Sequence, residues 1–350
     1  MKTIKVNASR DYDVIIGSGI MHNIGCHVRE LTKAHKVCIV SDSNVYPIYG
    51  NTVASSLTDV GLSVCKYVFS AGEESKNGSN YLNLLNILAE NQLTRSDCIV
   101  ALGGGVVGDL AGFAAATYLR GIPFVQVPTS LLAMVDSSVG GKTAIDLPAG
   151  KNLCGAFYQP SLVLCDIDAL NTLPDDVFRD GCAEVIKYGV LFDPDLFAHL
   201  TENGIDFDRE TVIARCVELK RDVVAQDEFD TGLRMKLNLG HTIGHGIEAG
   251  SNFAVTHGKA VATGMAIVAR SAVKNGYCDD KTAVQIEDVL RLYGLPVNTD
   301  FTADKLFGAA LSDKKRSGGT VNLIIPRMIG QCDIVPTPVS ELESFIEAGL

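Results

Sequence analysis

Three of the seven histidines of this 350-residue chain fall between positions 241 and 257. His241 and His245 stand in LNLGHTIGHGIE and His257 in VTHGKAV. A spacing of four stacks two side chains on one face of a helix. Apolar packing has no reason to assemble two imidazoles on one face with a third nearby, so a divalent metal site is the first reading. Such a site needs a carboxylate or a water to complete it. Glu184 in GCAEVIKYG, at the start of an amphipathic helix, is the candidate. Two histidines, one carboxylate and an open position form a donor set that catalytic zinc uses. Spacing leaves open which two histidines ligate. It favours one from the GHTIGH helix plus His257, with the other, His245 in the simplest arrangement, left to move a proton near the metal. A hydrogen-bonded structural histidine is the ordinary alternative for any one of them, and the clustering argues against it for all three.

A second feature is the run DCIVALGGGVVGDLAG at 97–112. Gly103, Gly105 and Gly108 satisfy G-x-G-x-x-G between a strand-like run and a helix-like one. Backbone amides there approach a pyrophosphate closely, and the helix N-terminus favours its charge. The alternative is a tight turn with no ligand. No acidic residue follows about 20 positions later as the dinucleotide pattern expects, so the ribose candidate is Asp42, upstream at the end of KVCIV. The GSG at Gly17 and Gly19 carries His22 in place of its third glycine and reads as a hairpin or a loop.

A third group is anion-binding. The stretch VPTSLLAMVDSSVGGKTAIDLPAGKN at 127–152 holds Thr129, Ser130, Asp136, Lys142, Lys151 and Asn152 among small and apolar residues. Gly140 and Gly141 would let a ligand near the backbone. The plain alternative is a solvated loop. Lys187, Lys220, Arg234 and the pair Lys314–Lys315 add cations that together suit an anionic substrate.

Elements must bring these groups together. Short, continuous, β-branched runs at 13–17, 36–42, 63–69, 97–104, 124–130 and 162–168 predict strands buried on both faces of a parallel sheet. Helical stretches such as SNYLNLLNILAENQL lie between them, which argues for an α/β, Rossmann-like nucleotide-binding domain over 1–176. From about residue 175 the pattern turns helical, with one hairpin expected near 320–336. That gives an all-α metal- and substrate-binding domain over 177–350. Net charge is −11, which disfavours nucleic acid and anionic membranes as partners. No apolar run reaches a membrane span, no secretory signal is visible, and ten scattered cysteines suit free buried thiols. The expectation is a cytoplasmic protein.

At this point the chain resembles the 3-dehydroquinate synthase family, within the sugar-phosphate cyclases. The runs that carry the resemblance are GEESK (72–76), GGGVVGD (103–109), YLRG (118–121), VPTSLLAMVDSSVGGKTAID (127–146), GKN (150–152), AEVIKYG (183–189), RMKLNLGHTIGHGIE (234–248) and HGKAVATGM (257–265). They extend nearly end to end and are specific together.

The resemblance implies a lyase. It converts 3-deoxy-D-arabino-heptulosonate 7-phosphate to 3-dehydroquinate and phosphate, the second step of the shikimate pathway. NAD transiently oxidises a ring hydroxyl, phosphate leaves by β-elimination, the hydride returns, and an intramolecular aldol closes the ring. It implies metal ligands Glu184, His241 and His257 for Zn or Co, and catalytic roles for His245, Lys142, Asn152 and Arg120. Substrate contacts fall on Asp136, Lys151, Lys187, Lys220, Arg234, Asn238 and Lys314. NAD contacts fall on Asp42, Glu73, Lys76, Gly104, Gly105, Val106, Val107, Gly108, Asp109, Thr129, Ser130, Lys142 and Lys151. A homodimer is the family expectation. Ser130 stands for a commonly seen threonine, and Lys259 for a glutamate that many members carry after HG. A net dehydrogenase is the rival reading, but it does not need four or more cations around a phosphate.

Overall fold

The computed structural model describes residues 1–252, 254–314 and 319–350. The chain runs β1 (Lys2–Val6), β2 (Tyr12–Gly17), α1 (Ile24–Leu31), β3 (Lys36–Asp42), α2 (Tyr46–Asp59), β4 (Ser63–Phe69), α3 (Gly78–Glu90), β5 (Cys98–Gly103) and α4 (Gly105–Thr117). It continues through β6 (Phe124–Pro128), β7 (Lys142–Leu147), β8 (Gly150–Phe157), β9 (Leu162–Asp166), α5 (Asp175–Phe192), α6 (Pro194–Asn203) and α7 (Arg209–Gln226). It ends with α8 (His241–Gly250), α9 (His257–Lys274), α10 (Asp280–Leu292), α11 (Ala303–Lys314), β10 (Thr320–Met328), β11 (Gln331–Pro338) and α12 (Val339–Gly349).

Two compact units result: Met1–Leu173 with Arg209–Phe229, and Pro174–Asp208 with Asp230–Leu350. Residues 209–229 therefore pack with the first unit, not with the helices that flank them in sequence. The reason is visible in α7. Its Val212, Ile213, Cys216, Val217, Val223 and Val224 are buried, and the helix lies against β1 and β2. Beyond its end, Glu228 accepts from Ser9 Oγ at 2.6 Å and from Gln159 Nε2 at 2.8 Å.

The first unit is built on a seven-stranded sheet in the order β1-β2-β9-β6-β5-β3-β4. All pairs are parallel except β1 with β2. Central strands β5, β6 and β9 are buried at every residue, as continuous apolar runs between helical layers must be. The chain leaves β3 for β4 on one side and returns with β5 on the other. That reversal is a topological switch point, where ligands bind outside the strand carboxyl ends in doubly wound folds. Asp42 ends β3 and Gly103 ends β5 there. Leu84 and Leu88 of α3 are fully buried in the core beside Ile99 and Leu110, each contributing about 1.5–3 kcal/mol of apolar burial. Two features were not expected: the antiparallel edge strand β1, and the hairpin β7–β8.

The second unit is mostly helical but includes the hairpin β10–β11, close to where it was expected. Helix α9 is buried along most of its length through small residues, from Gly258 to Ala272. It packs on α5, α8, α10 and α12. All ten cysteines are free, and only Cys26 is exposed. Among the described residues no helix is long and apolar enough to cross a membrane.

Candidate active site

In the second unit, three helices each deliver one donor. Glu184 sits inside α5, His241 is the first residue of α8 and His257 the first of α9. Their ligand atoms all lie within 4.8 Å of one another. His241 Nε2 is 3.7 Å and His257 Nε2 3.5 Å from Glu184 Oε1. Glu184 is fully buried; Lys187 directs its ammonium at Oε2, and Oε1 faces the two imidazole nitrogens. Burying a carboxylate is costly; Lys187 offsets part of that cost, and a divalent cation between the three donors would offset more of it. One carboxylate and two imidazoles converging on one point therefore fit a metal.

The surrounding charges agree. Burial first, then Lys187 and the other two imidazoles, hold His241 well below its usual 6.5. Burial also opposes a charge on His257, but the Glu184 and Glu248 carboxylates outweigh it and raise that ring to about 10. Negative charge in excess around an imidazole is what a cation would balance in place of a proton. Lys187, expected on the substrate side, is buried and directs its ammonium at Glu184 Oε2.

Backbone contact between α8 and α9 sets the geometry. Gly240, just before His241, has φ +78, and a Cβ on Gly264 would stand 2.1 Å from its carbonyl oxygen. Only glycine at both positions lets the two helices approach so closely. Asp180, one turn before Glu184 on α5, fixes the start of α9. It accepts from Gly258 N and Lys259 N, each at 3.0 Å, and from the Thr256 hydroxyl. The N-terminal cap of α9 thus comes from the helix that carries Glu184. His245 is exposed, its ring centroid 5.5 Å from that of His241 and 6.5 Å from that of His257. It stands beside the trio without joining it. Arg234 is buried and Asn238 exposed on the 233–238 turn that leads into α8.

In the first unit, a buried lysine gathers the expected cofactor and substrate groups. Lys76 is 4% exposed, with Nζ at 2.9 Å from Glu73, 3.2 Å from Asp109 and 3.8 Å from Asp146. Lys151 Nζ reaches Glu73 at 3.6 Å. Asn152, at φ +56, donates its backbone N–H to Asp146 at 2.8 Å. Burial drives Asp109 up to about 6 against the pull of Lys76. Lys142, Asn152 and Asp109 line a cavity of about 450 Å3 with residues of β7 and β8.

Nearby, Lys220 of α7 donates to the carbonyl of Asp136 at 2.6 Å and also closes on its carboxylate. The turn from Gly103 to Gly105 enters α4 with no side-chain cap, so its first amides suit an anion. A Cβ on Gly108 would meet the Gln126 side chain at 2.7 Å, which makes it the close helix–strand contact of the motif. Val106, Val107 and Gly108 all belong to the first turn of α4. Thr129 N donates to the Gly103 carbonyl at 3.0 Å, and Ser130 Oγ accepts from Ala133 N at 3.3 Å.

Some expectations land elsewhere. Asp42 Oδ1 accepts from Asn44 N at 2.8 Å and Val45 N at 3.0 Å, so it also shapes its own turn. Arg120 is exposed on the 118–120 turn at φ +68. Lys314 ends α11, and Lys315 lies outside the described residues. The Gly17–Gly19 turn is a loop whose Gly19 and Met21 amides are taken by Asp166, each at 2.9 Å. Sequence reasoning missed Asp146, Asp180 and Glu248. The available signals were Asp180 one turn before Glu184 and Glu248 two turns after His241.

Two family descriptions match the chain, 3-dehydroquinate synthase N-terminal over residues 66–180 and 3-dehydroquinate synthase C-terminal over 181–316. A 3-dehydroquinate synthase of Pelobacter propionicus is 45% identical over 351 residues, covering 98% of each chain. Among solved structures, a 2-deoxy-scyllo-inosose synthase complexed with carbaglucose-6-phosphate, NAD+ and Co2+ is similar at TM-score 0.90 and 26% identity, covering 100% of both chains. A 2-epi-5-epi-valiolone synthase from Streptomyces hygroscopicus, with NAD+ and Zn2+ bound, is similar at TM-score 0.88 and 27% identity over 98% of each chain.

Proposed function

The chain belongs to the 3-dehydroquinate synthase family and is a phosphate-eliminating cyclase acting on 3-deoxy-D-arabino-heptulosonate 7-phosphate; we propose the residues through which it acts. The observation that carries the proposal is the convergence of the fully buried Glu184 carboxylate and two imidazole nitrogens, all three donors within 4.8 Å of one another.

Glu184, His241 and His257 hold the divalent cation, Zn2+ or Co2+ as in the similar cyclases. That cation supplies a Lewis acid for a hydroxyl and for the ketone it becomes. NAD supplies reversible hydride transfer at the same carbon, and a ketone there acidifies the neighbouring C–H so that phosphate can leave. Asp42, Glu73, Lys76, Asp109, the 104–108 turn, Thr129 and Ser130 bind NAD.

Lys142, Lys151, Asn152, Lys220 with Asp136, Arg234 and Asn238 bind and orient the two anionic ends of the substrate. Lys187 balances Glu184 and belongs with the same set. Arg120 and Lys314 are assigned to the substrate by resemblance alone. His245, accessible beside the ligands, moves the proton of the oxidised hydroxyl, directly or through a water. The protein works in the cytoplasm as a homodimer.

The test is phosphate release from the heptulosonate 7-phosphate with a catalytic amount of NAD and added Co2+ or Zn2+. Phosphate and 3-dehydroquinate should form in equal amounts with no accumulation of NADH. Conversion of the added NAD to NADH without phosphate would show a net dehydrogenase instead.

A further inference from the structure

Glu248 is a buried acid of the second unit with no role in the chemistry above. It lies on α8 seven positions after His241, two turns along the same face, and is 3% exposed. A carboxylate so buried must be paired. His257 Nδ1 lies 3.4 Å from its Oε2. Across the same ring, Nε2 is 3.5 Å from Glu184 Oε1. His241 is braced differently, with Nδ1 3.1 Å from the carbonyl oxygen of Leu239. A carbonyl and a carboxylate can only accept, so with a cation at Nε2 each ring would keep its proton on Nδ1 and turn the Nε2 lone pair inward. One ring is braced by a neutral backbone group and the other by a buried negative charge.

We propose that Glu248 is the positioning residue of His257: it selects the Nδ1–H tautomer, aims Nε2 at the cation and raises the donor strength of that ring. The inference rests on Glu184, His241 and His257 being the metal ligands. Glu248 is not one of the three converging donors. Its position gives it a second consequence, because it joins α8, which carries His241, to the first residue of α9.

The experiment uses the full-length protein, stripped with a chelator and titrated with Co2+ against a chromophoric chelator. The imidazole Nδ1–H resonances of the Zn2+-loaded protein are recorded alongside. Glu248→Gln keeps an acceptor for Nδ1–H but loses the charge, and should weaken Co2+ binding about tenfold. Glu248→Ala loses both and should weaken it toward 100-fold, within the roughly 10–100-fold range of such outer partners. The His257 Nδ1–H signal should survive in the Gln variant and be lost to exchange in the Ala variant, while that of His241 is unmoved.

An affinity within about twofold of the parent in Glu248→Ala, or an unmoved His257 resonance, overturns the proposal, since a merely structural acid moves neither. If Glu248→Ala does not fold, Glu248→Gln decides alone, and unchanged Co2+ affinity overturns it. A parent protein that takes up no Co2+ would refute the metal reading itself, which is a separate outcome.

Discussion

Gly264→Ala should damage the metal site although residue 264 bears no ligand. The added Cβ would stand 2.1 Å from the Gly240 carbonyl oxygen and 3.1 Å from Gly244 N. Carbon and carbonyl oxygen tolerate about 3.3 Å at closest, so α8 and α9 must part locally by about 1 Å. Gly240 immediately precedes His241, and His257 lies two turns before Gly264 on the same face of α9. Metal–nitrogen bonds tolerate only about 0.2 Å. Overpacking of this kind costs about 1–3 kcal/mol. Binding the cation needs the helices together, so the strain reappears as weaker binding, about 5- to 150-fold at 1.4 kcal/mol per decade. The assay is a Co2+ titration of chelator-stripped protein, with circular dichroism to confirm folding. A folded variant that binds Co2+ as tightly as the parent would refute the claim that backbone contact sets the ligand geometry.

His257→Ala should abolish stoichiometric metal uptake. His245→Ala should keep the metal and lose about 10²–10⁴-fold in kcat; metal analysis beside phosphate-release kinetics separates the two, and loss of metal from His245→Ala would contradict its placement outside the trio. Asp180→Ala should cost about 1–2 kcal/mol in urea melts through loss of the α9 cap, with partial recovery in Asp180→Asn; an unchanged midpoint would show that the cap carries no load. Lys76→Met leaves Asp109 without its main counter-charge and should cost about 3 kcal/mol at pH 8. Asp109 titrates near 6 against 3.8 unfolded, so the folded protein keeps a proton that the unfolded chain has released, and this group's stabilisation falls as pH rises from about 4 to 6. Without Lys76 that window extends upward, so the variant should lose less at pH 5 than at pH 8; a loss independent of pH would contradict the pairing.

The buried strands were legible in the sequence because their surroundings are uniform. Ile39 and Val40 on β3 or Val100 and Leu102 on β5 face apolar layers on both sides, so an unbroken β-branched run says both strand and burial. The hairpin β7–β8 was not legible, because β8 holds Gly150, Asn152 at positive φ and Gly155, and alternates between exposed and half-buried positions. Its pairing with β7 defines it, with a Cβ on Gly155 only 2.2 Å from the Thr143 carbonyl. The histidine cluster was legible because three imidazoles within seventeen residues have few structural uses. Asp180 and Glu248 were not, because an acid on a helix is usually solvated and only the neighbouring helix reveals that these are buried or capping. Lys220 was counted with the helical half because α7 reads as one more helix. Only its apolar face against β1 and β2 returns it to the sheet.

The central claim is that one divalent cation is held by Glu184, His241 and His257. Crystals of the chelator-stripped protein soaked in Co2+ and measured at the cobalt absorption edge test it directly. The account predicts a single strong anomalous peak about 2.0–2.2 Å from a Glu184 carboxylate oxygen and the two Nε2 atoms. No peak there, or a peak coordinated by other side chains, would contradict it.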